Sequence, residues 1–395
     1  MIRTGYPRTP TVFCPMQTFY VKTKVCSGEG AMDILESFHG RNAVIFTDTF
    51  MVKSGVAARV AEKLSGCANV RVFDEIKPDP PIELVASGLR FLLEANADLV
   101  VALGGGSSID AAKATILMAK RSGAKDGISL IAIPTTSGTG SEVTSFAVIT
   151  DREKGVKYPL VDEELLPDYA IMDPALVVSA PPRITADTGF DVITHALEAY
   201  ISVGANDYSD ALAEKALELA FAYLPRAYAD GADLVAREKM HTASCLAGMA
   251  FNAVSLGINH GIAHQLGARF HIPHGRANAM LLPHVVRFNA NLSANFGAKE
   301  ETAASLRIAH IARRIGLSGD DTNALVLALI RHLFYLLKMT ETPVTLADAG
   351  VSKEAYEAAR SAMIDAALKD ACTATNPRPV TSDDVAEILA GLAKW

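Results

Sequence analysis

The sequence predicts an α/β unit on a parallel sheet followed by an all-helical unit, and three observations carry that prediction. From about residue 41 to 175, short β-branched runs alternate with stretches of helical spacing. This alternation is the mark of a parallel sheet with helices on both faces. Beyond residue 174 the strand pattern stops, and Ala, Leu and Glu recur with apolar spacing near the helical period of about 3.6 residues. The Pro-rich Ala180–Arg183 stretch lies between the two regimes. The expected division is therefore 1–182 and 183–395, with a cleft between the parts as the place for a site. A chain of 395 residues is long enough for two such units.

The elements follow in order. Ala43–Thr47 (AVIFT) reads as a buried strand, followed by an amphipathic helical stretch through Leu64. Val70–Phe73 is a second strand, and Ile82–Glu94 has helical spacing. Leu99–Leu103 is a third strand that runs straight into Gly104, Gly105, Gly106 and Ser107, after which Ser108–Arg121 is helical. Ser129–Ile133 and Ala170–Met172 complete the strands, and from Thr185 onward only helices are expected.

Composition excludes several function classes. The net charge is -7, and no Lys/Arg cluster offers a footprint for nucleic acid. The longest apolar runs are broken by Gly, Pro or charge, so no membrane span is expected. The N-terminal stretch has no apolar signal core. Five scattered cysteines with no CxxC pair fit reduced thiols, and the cytoplasm is the expected location.

Three loops at strand C-terminal ends point to a nucleotide. Gly104–Ser107 follows a strand and opens a helix, so backbone N–H groups and the positive helix end can face a pyrophosphate. The same four residues also suit a plain strand-to-helix turn, and they do not form a GxGxxG fingerprint. Asp48, just past the first strand, can accept from ribose hydroxyls and would repel a 2′-phosphate, which favours NAD over NADP. It can equally cap the helix that begins near Phe50. Pro134–Ser141 (PTTSGTGS) can surround a ribose or phosphate, or be a polar loop. Open α/β sheets bind ligands along this edge, so the three loops together argue more than any one.

The second half carries a metal pattern. Asp191 and His195 are four residues apart in a helical stretch, so both project from one face toward one ion. His260 and His264 repeat that spacing, and His274 follows. Five of the ten histidines lie between residues 260 and 284. One carboxylate with imidazoles makes an N/O site for Fe(II), Zn(II), Co(II) or Mn(II). By spacing alone His264 is as good a ligand as its neighbours.

These motifs resemble the group III, iron-containing alcohol dehydrogenases from about Phe19 to the C-terminus. The segments that carry the resemblance are Leu103–Asp110 (LGGGSSID), Pro134–Thr144 (PTTSGTGSEVT), Gly189–Glu198 (GFDVITHALE), His260–Gly267 (HGIAHQLG), Pro273–Gly275 (PHG) and Cys372–Arg378 (CTATNPR). The resemblance implies a dehydroquinate synthase-like fold, in which a Rossmann-type NAD-binding domain precedes an all-helical metal-binding domain. It implies that Asp191, His195, His260 and His274 hold Fe(2+), with Zn(2+) an alternative that the ligand types admit. It places NAD(H) against Asp48, Gly105, Gly106, Ser107, Thr135, Thr136, Thr139 and Lys157. His264 becomes a proton relay beside the nicotinamide, and Phe146, Phe251, Leu256 and Cys372 line the substrate pocket. Homodimers or larger homo-oligomers are expected.

Within the family, Ile133–Thr144, Asp210–Lys215 (DALAEK) and Leu246–Phe251 (LAGMAF) are similar to the 1-propanol and ethanol dehydrogenases of propanediol and ethanolamine utilisation. The expected activity is interconversion of a short-chain aldehyde and its primary alcohol. Lactaldehyde, 3-hydroxypropanal and sulfoacetaldehyde are alternative substrates, and a metal-dependent lyase on the same scaffold is a more distant alternative. Residues 1–18 form an extension read as a tail or a targeting segment. The latter would place the chain in a bacterial microcompartment with shell or cargo proteins.

Overall fold

The computed structural model describes residues 18–153, 156–293 and 300–395. The extension up to residue 17 lies outside them. Six parallel strands form the main sheet: β1 (Lys24–Ser27), β2 (Asn42–Phe46), β3 (Asn69–Phe73), β4 (Leu99–Gly104), β5 (Ser129–Pro134) and β8 (Tyr169–Met172). Their spatial order is β1-β8-β5-β4-β2-β3. Successive side chains of the central strands serve opposite faces, as the period of a strand requires. Ile45, Val101, Leu103, Ile131 and Ile133 pack on one side with Val60 and Leu64. Val44, Phe46, Val100, Ala102 and Ala132 pack on the other with Leu92 and Ile109. A sheet buried on both faces explains why these strands read as continuous apolar runs.

The helices between the strands are α1 (Thr49–Lys53), α2 (Val56–Lys63), α3 (Ile82–Glu94) and α4 (Gly106–Arg121). The helical stretch expected through Leu64 is two helices, broken at Gly55, whose φ of 81° lies in the left-handed region. Strand β1 and an antiparallel hairpin of β6 (Phe146–Asp151) and β7 (Val156–Val161) are further additions to the expected list.

From Pro182 onward the described residues are helical or irregular: α5 (Pro182–Ile201), α6 (Asp207–Ala229), α7 (Leu234–Val254), α8 (Ile258–Phe270), α9 (His274–Asn289), α10 (Ala303–Arg314), α11 (Thr322–Met339), α12 (Lys353–Lys369) and α13 (Ser382–Leu392). Helix α11 is long and apolar enough to cross a membrane by composition. Its Leu325, Val326, Leu329, Leu333, Leu336 and Leu337 are instead buried in the core formed with α5, α6 and α7.

The sheet part meets the helical part along the segment from Pro134 to Phe146. Gly140, at φ 63°, faces Gly248 of α7 so closely that a β-carbon on it would lie 2.6 Å from the Gly248 Cα. A β-carbon on Gly248 would lie 2.9 Å from the Gly140 Cα. Gly138 is equally confined, with Thr188 Cβ 2.7 Å from its virtual β-carbon.

This contact sets two effects of Gly248→Ala against each other. Alanine favours a helix interior by about 1 kcal/mol, while an added methyl against backbone costs about 1–3 kcal/mol. Overpacking wins, so the expected result is a melting midpoint lowered by about 2–6 °C in calorimetry. An unchanged or raised midpoint would show that the seam has room.

Candidate metal and nucleotide site

Helix α5 supplies Asp191 and, one turn on, His195, both buried. His260 comes from the first turn of α8, and His274 is the first residue of α9. The Nε2 atoms of His274, His260 and His195 lie 3.5, 3.9 and 4.0 Å from Asp191 Oδ1. The ligand atoms of all four residues fall within 4.8 Å of one another. Burial pushes the His195 imidazole down from its ordinary pKa, His274 down to about 4, and His260 well below its usual range. Imidazoles held neutral keep their lone pairs for an ion.

Asp191, His260 and His274 have polar neighbours that orient them, whereas the buried His195 Nδ1 has no hydrogen-bond partner among the described residues. The Nδ1 of His260 is hydrogen-bonded to Glu198 Oε2, which leaves Nε2 facing Asp191. Such a carboxylate behind a histidine fixes the ring and raises its basicity as a ligand. Glu198 lies seven residues after Asp191 on α5 and is itself buried, so its carboxyl is raised to about 8 by desolvation. Its other oxygen accepts the Asn259 N–H at 2.7 Å. Asn278, one turn into α9, donates from Nδ2 to Asp191 Oδ1 at 2.8 Å and lies 3.0 and 3.2 Å from the Nε2 atoms of His260 and His274. Neither Glu198 nor Asn278 received a role from the sequence, although Glu198 stands inside one of its motifs. The signal available was helix spacing, since residues 191, 195 and 198 share one face.

His264 stands apart from the four. It is 41% exposed, and its Nδ1 pairs with Asp370 Oδ2 at 2.8 Å. Its ring stacks on His274 at 5.4 Å between centroids. It therefore lies at the mouth of the cluster. Its partner Asp370, 106 residues away, was not singled out in the sequence.

Beside the cluster is an apolar wall. The Phe251 ring stacks on His195 at 4.5 Å, and Phe146 lies 6.3 Å from Phe251. Leu256 and Cys372 belong to the same apolar cluster. Burial pushes the Cys372 thiol well above its ordinary pKa, so it is held protonated.

The expected nucleotide residues gather at the C-terminal edge of β2, β4 and β5. Gly104 has φ 144°, and a β-carbon there would strike Ser108. Virtual β-carbons on Gly105 and Gly106 lie 3.3 Å from Thr136 Oγ1 and 2.8 Å from Thr139 Cγ2, so the threonines close over the turn. Thr135 is tied to the same turn by its N–H to Gly104 O at 3.0 Å, and Ser107 is in the first turn of α4. This leaves a cradle that side chains would fill, with a helix N-terminus at its base. Asp48 fulfils the capping alternative: Oδ1 accepts the Phe50 and Met51 N–H groups. Its Oδ2 faces the turn, 3.9 Å from the virtual β-carbon of Gly104. Lys157 is ion-paired with Asp79, and its charge is felt at His274.

Residues 22–174 match the family model described as iron-containing alcohol dehydrogenase, and residues 185–393 match that of the Fe-containing alcohol dehydrogenase family, C-terminal. The chain is 45% identical over 380 residues to the 1-propanol dehydrogenase PduQ of Citrobacter freundii, covering 95% of this chain and 100% of that protein. The NADPH-dependent butanol dehydrogenase of Clostridium saccharobutylicum is 36% identical, covering 95% and 97%. Among solved structures, a 1,3-propanediol oxidoreductase superposes with a TM-score of 0.86 at 34% identity, covering 95% and 99%. A sulfoacetaldehyde reductase from Bifidobacterium kashiwanohense, in complex with NAD+, gives 0.83 at 29%, covering 96% and 99%.

The Glu198–His260 pair yields a direct test. Glu198→Gln keeps the shape but puts an NH2 donor in place of one of the two oxygens that face His260 Nδ1 and the Asn259 N–H, so metal affinity is expected to fall about 10- to 100-fold. Chelator competition followed by metal analysis reads this, and an unchanged affinity would remove Glu198 from the site.

Proposed function

The chain belongs to the iron-containing alcohol dehydrogenase family, and from that premise we propose that it interconverts a short-chain aldehyde of the propanal or acetaldehyde type with its primary alcohol. The observation that carries this reading is the four-residue ligand cluster lying flush against the Phe251 ring. A site for a polarising ion there opens onto an apolar wall rather than onto charged groups.

The reading assigns Asp191, His195, His260 and His274 to a divalent metal, with iron(II) as the metal. One carboxylate and three neutral imidazoles fit such an ion, and zinc satisfies the same donors. NAD(H) is assigned to the cradle of Gly105, Gly106, Ser107, Thr135, Thr136 and Thr139, with Asp48 toward the ribose and Lys157 at the cofactor's edge. When bound, the metal supplies Lewis-acid polarisation of the substrate oxygen and the nicotinamide supplies hydride.

The protein's own groups do the rest. Glu198 and Asn278 orient the ligand atoms. Phe146, Phe251, Leu256 and Cys372 exclude water and seat the aliphatic chain. His264, exposed at the mouth with its Nδ1 committed to Asp370 and no partner for Nε2 among the described residues, can pass the alcohol proton toward solvent.

Two observations favour an unfunctionalised aldehyde over lactaldehyde, 3-hydroxypropanal or sulfoacetaldehyde. The wall of Phe146, Phe251, Leu256 and Cys372 is apolar and gives an added hydroxyl no strong partner, and the nearby Lys157 and Arg276, which could meet a sulfonate, are already paired with Asp79 and Asp187. The same pairing disfavours a lyase, which needs free cations for a phosphorylated substrate. The finer readings of a homodimer or larger homo-oligomer, and of packaging with shell or cargo proteins in a microcompartment of the cytoplasm, rest on the family resemblance. Co-purification with shell proteins from a native extract tests the packaging.

Anaerobic purification with metal analysis, then an aldehyde panel followed by NADH absorbance, tests the activity. Propanal is expected to exceed sulfoacetaldehyde by about 100-fold or more in kcat/KM, because this wall has no free cation to offset burial of a sulfonate. His260→Ala is expected to lose both metal and turnover. A preference for the charged aldehyde, or full turnover in metal-free His260→Ala, would overturn the reading.

A further inference from the structure

The peptide group between Thr144 and Ser145 is held at both ends. Its carbonyl accepts from Lys113 Nζ at 2.7 Å, and its N–H donates to Asn252 Oδ1 at 2.8 Å. In a trans peptide these two groups point in opposite directions, and no described peptide bond is cis. A line of hydrogen bonds therefore runs from α4, through the loop, to α7.

Both ends of that line lead to the site. Lys113 lies two turns into the helix whose first turn holds Gly106 and Ser107, and it also donates to the Phe146 carbonyl at 2.8 Å. Asn252 directly follows Phe251, and its oxygen takes a second bond from the Ser145 hydroxyl at 3.0 Å. Ser145 directly precedes Phe146. The one amide oxygen of Asn252 thus ties together the neighbours of the two facing rings, which come from opposite sides of the seam and lie 6.3 Å apart.

We infer that Asn252 is a positioning residue that sets the width of the substrate slot between Phe146 and Phe251, with Lys113 fixing the far side of the same peptide. This rests on the reading of those two rings as pocket walls. Asn252 is only half-buried, so water can replace its oxygen when the side chain is cut back. The fold then survives while the Phe146 strand is free to drift from Phe251. A short aldehyde loses its close fit, and a longer one gains room.

The test compares Asn252→Ala, Asn252→Asp and Phe251→Ala in the metal-loaded enzyme with NADH and straight-chain aldehydes from acetaldehyde to hexanal. For Asn252→Ala, metal content and NADH affinity should match the wild type. The KM for propanal should rise about five- to tenfold, kcat should stay within about twofold, and the preference for short chains should flatten. Asn252→Asp keeps an acceptor for both Ser145 donors and should return KM to within about twofold of wild type. An unchanged chain-length profile in Asn252→Ala, an equal loss for every chain length, or no rescue by Asn252→Asp would overturn the inference. Phe251→Ala separates the two levels: if it leaves the profile unchanged, the pocket-wall reading fails. If it alters the profile and Asn252→Ala does not, only the role of Asn252 fails.

Discussion

Where the sheet meets the helices, two backbones touch with no side chain between them. Gly140 and Gly248 approach so closely that neither tolerates a β-carbon without displacing the other. That contact seats the segment from Pro134 to Phe146 on α7, and the neighbouring polar contacts follow from it. Ser137 Oγ reaches His241 Nδ1 at 3.0 Å, and Ser145 reaches Asn252. Because α7 packs against α5, which carries Asp191 and His195, the same contact fixes how far the glycine-threonine cradle stands from the metal cluster. Hydride transfer depends on that separation, since reacting atoms must be held in near contact before the step occurs. The seam is thus where folding and chemistry impose one requirement.

Burial of charge imposes the second. The site hides a carboxylate, Asp191, and gathers three imidazoles around it, and a buried ion is tolerated only when partners compensate its lost hydration. Asn278 serves Asp191, and Glu198 serves His260. A parallel arrangement lies under the loop, where Asp110 accepts from Ser141 Oγ and from the Val148 N–H. Lys113 donates to Ser141, Thr144 and Phe146. Desolvation lowers Lys113 to about 8 and raises Asp110, so each needs the other and the loop polar groups to remain ionised. Two polar networks thus flank the seam, one behind the Asp191 cluster and one beneath the Phe146 strand.

The sequence announced the parts whose physics is local. Ile82–Glu94 is a helix with the bounds its spacing gave, because its apolar stripe and flanking Pro81 suffice to define it. The strand running into Gly104–Ser107 was legible for the same reason. Less visible were elements that depend on distant partners. Strand β1 is a short edge strand stabilised by pairing with β8, 145 residues on in its register, and β6 packs on α3 and α4, with Ile149 against Val85 and Ala114. Gly55 interrupts an otherwise continuous helical pattern, and spacing alone does not register a single left-handed residue. At the site, Asp191 and His195 could be paired from one helix, whereas Glu198, Asn278, Asp370 and Asn252 act across 62 to 107 residues of sequence or from beyond the motif.

The histidines of α8 show what separates a position inside the cluster from one at its mouth. His260 and His264 share a helix face, and spacing treats them as equals. Their second partners divide them. His260 is buried and turns Nδ1 to Glu198, so Nε2 can reach only the Asp191 cluster. His264 turns Nδ1 to Asp370 on the solvent side, which swings the ring outward to lie over His274 instead of beside Asp191. Asp370 can hold it there because it also caps the following turn, with Oδ1 accepting the Cys372 N–H at 3.0 Å. Gly261 completes the arrangement, for a β-carbon on it would collide with the Thr373 hydroxyl of that same turn. The difference between the two positions therefore lies less in the imidazoles than in the carboxylates behind them, one on α5 and one after α12.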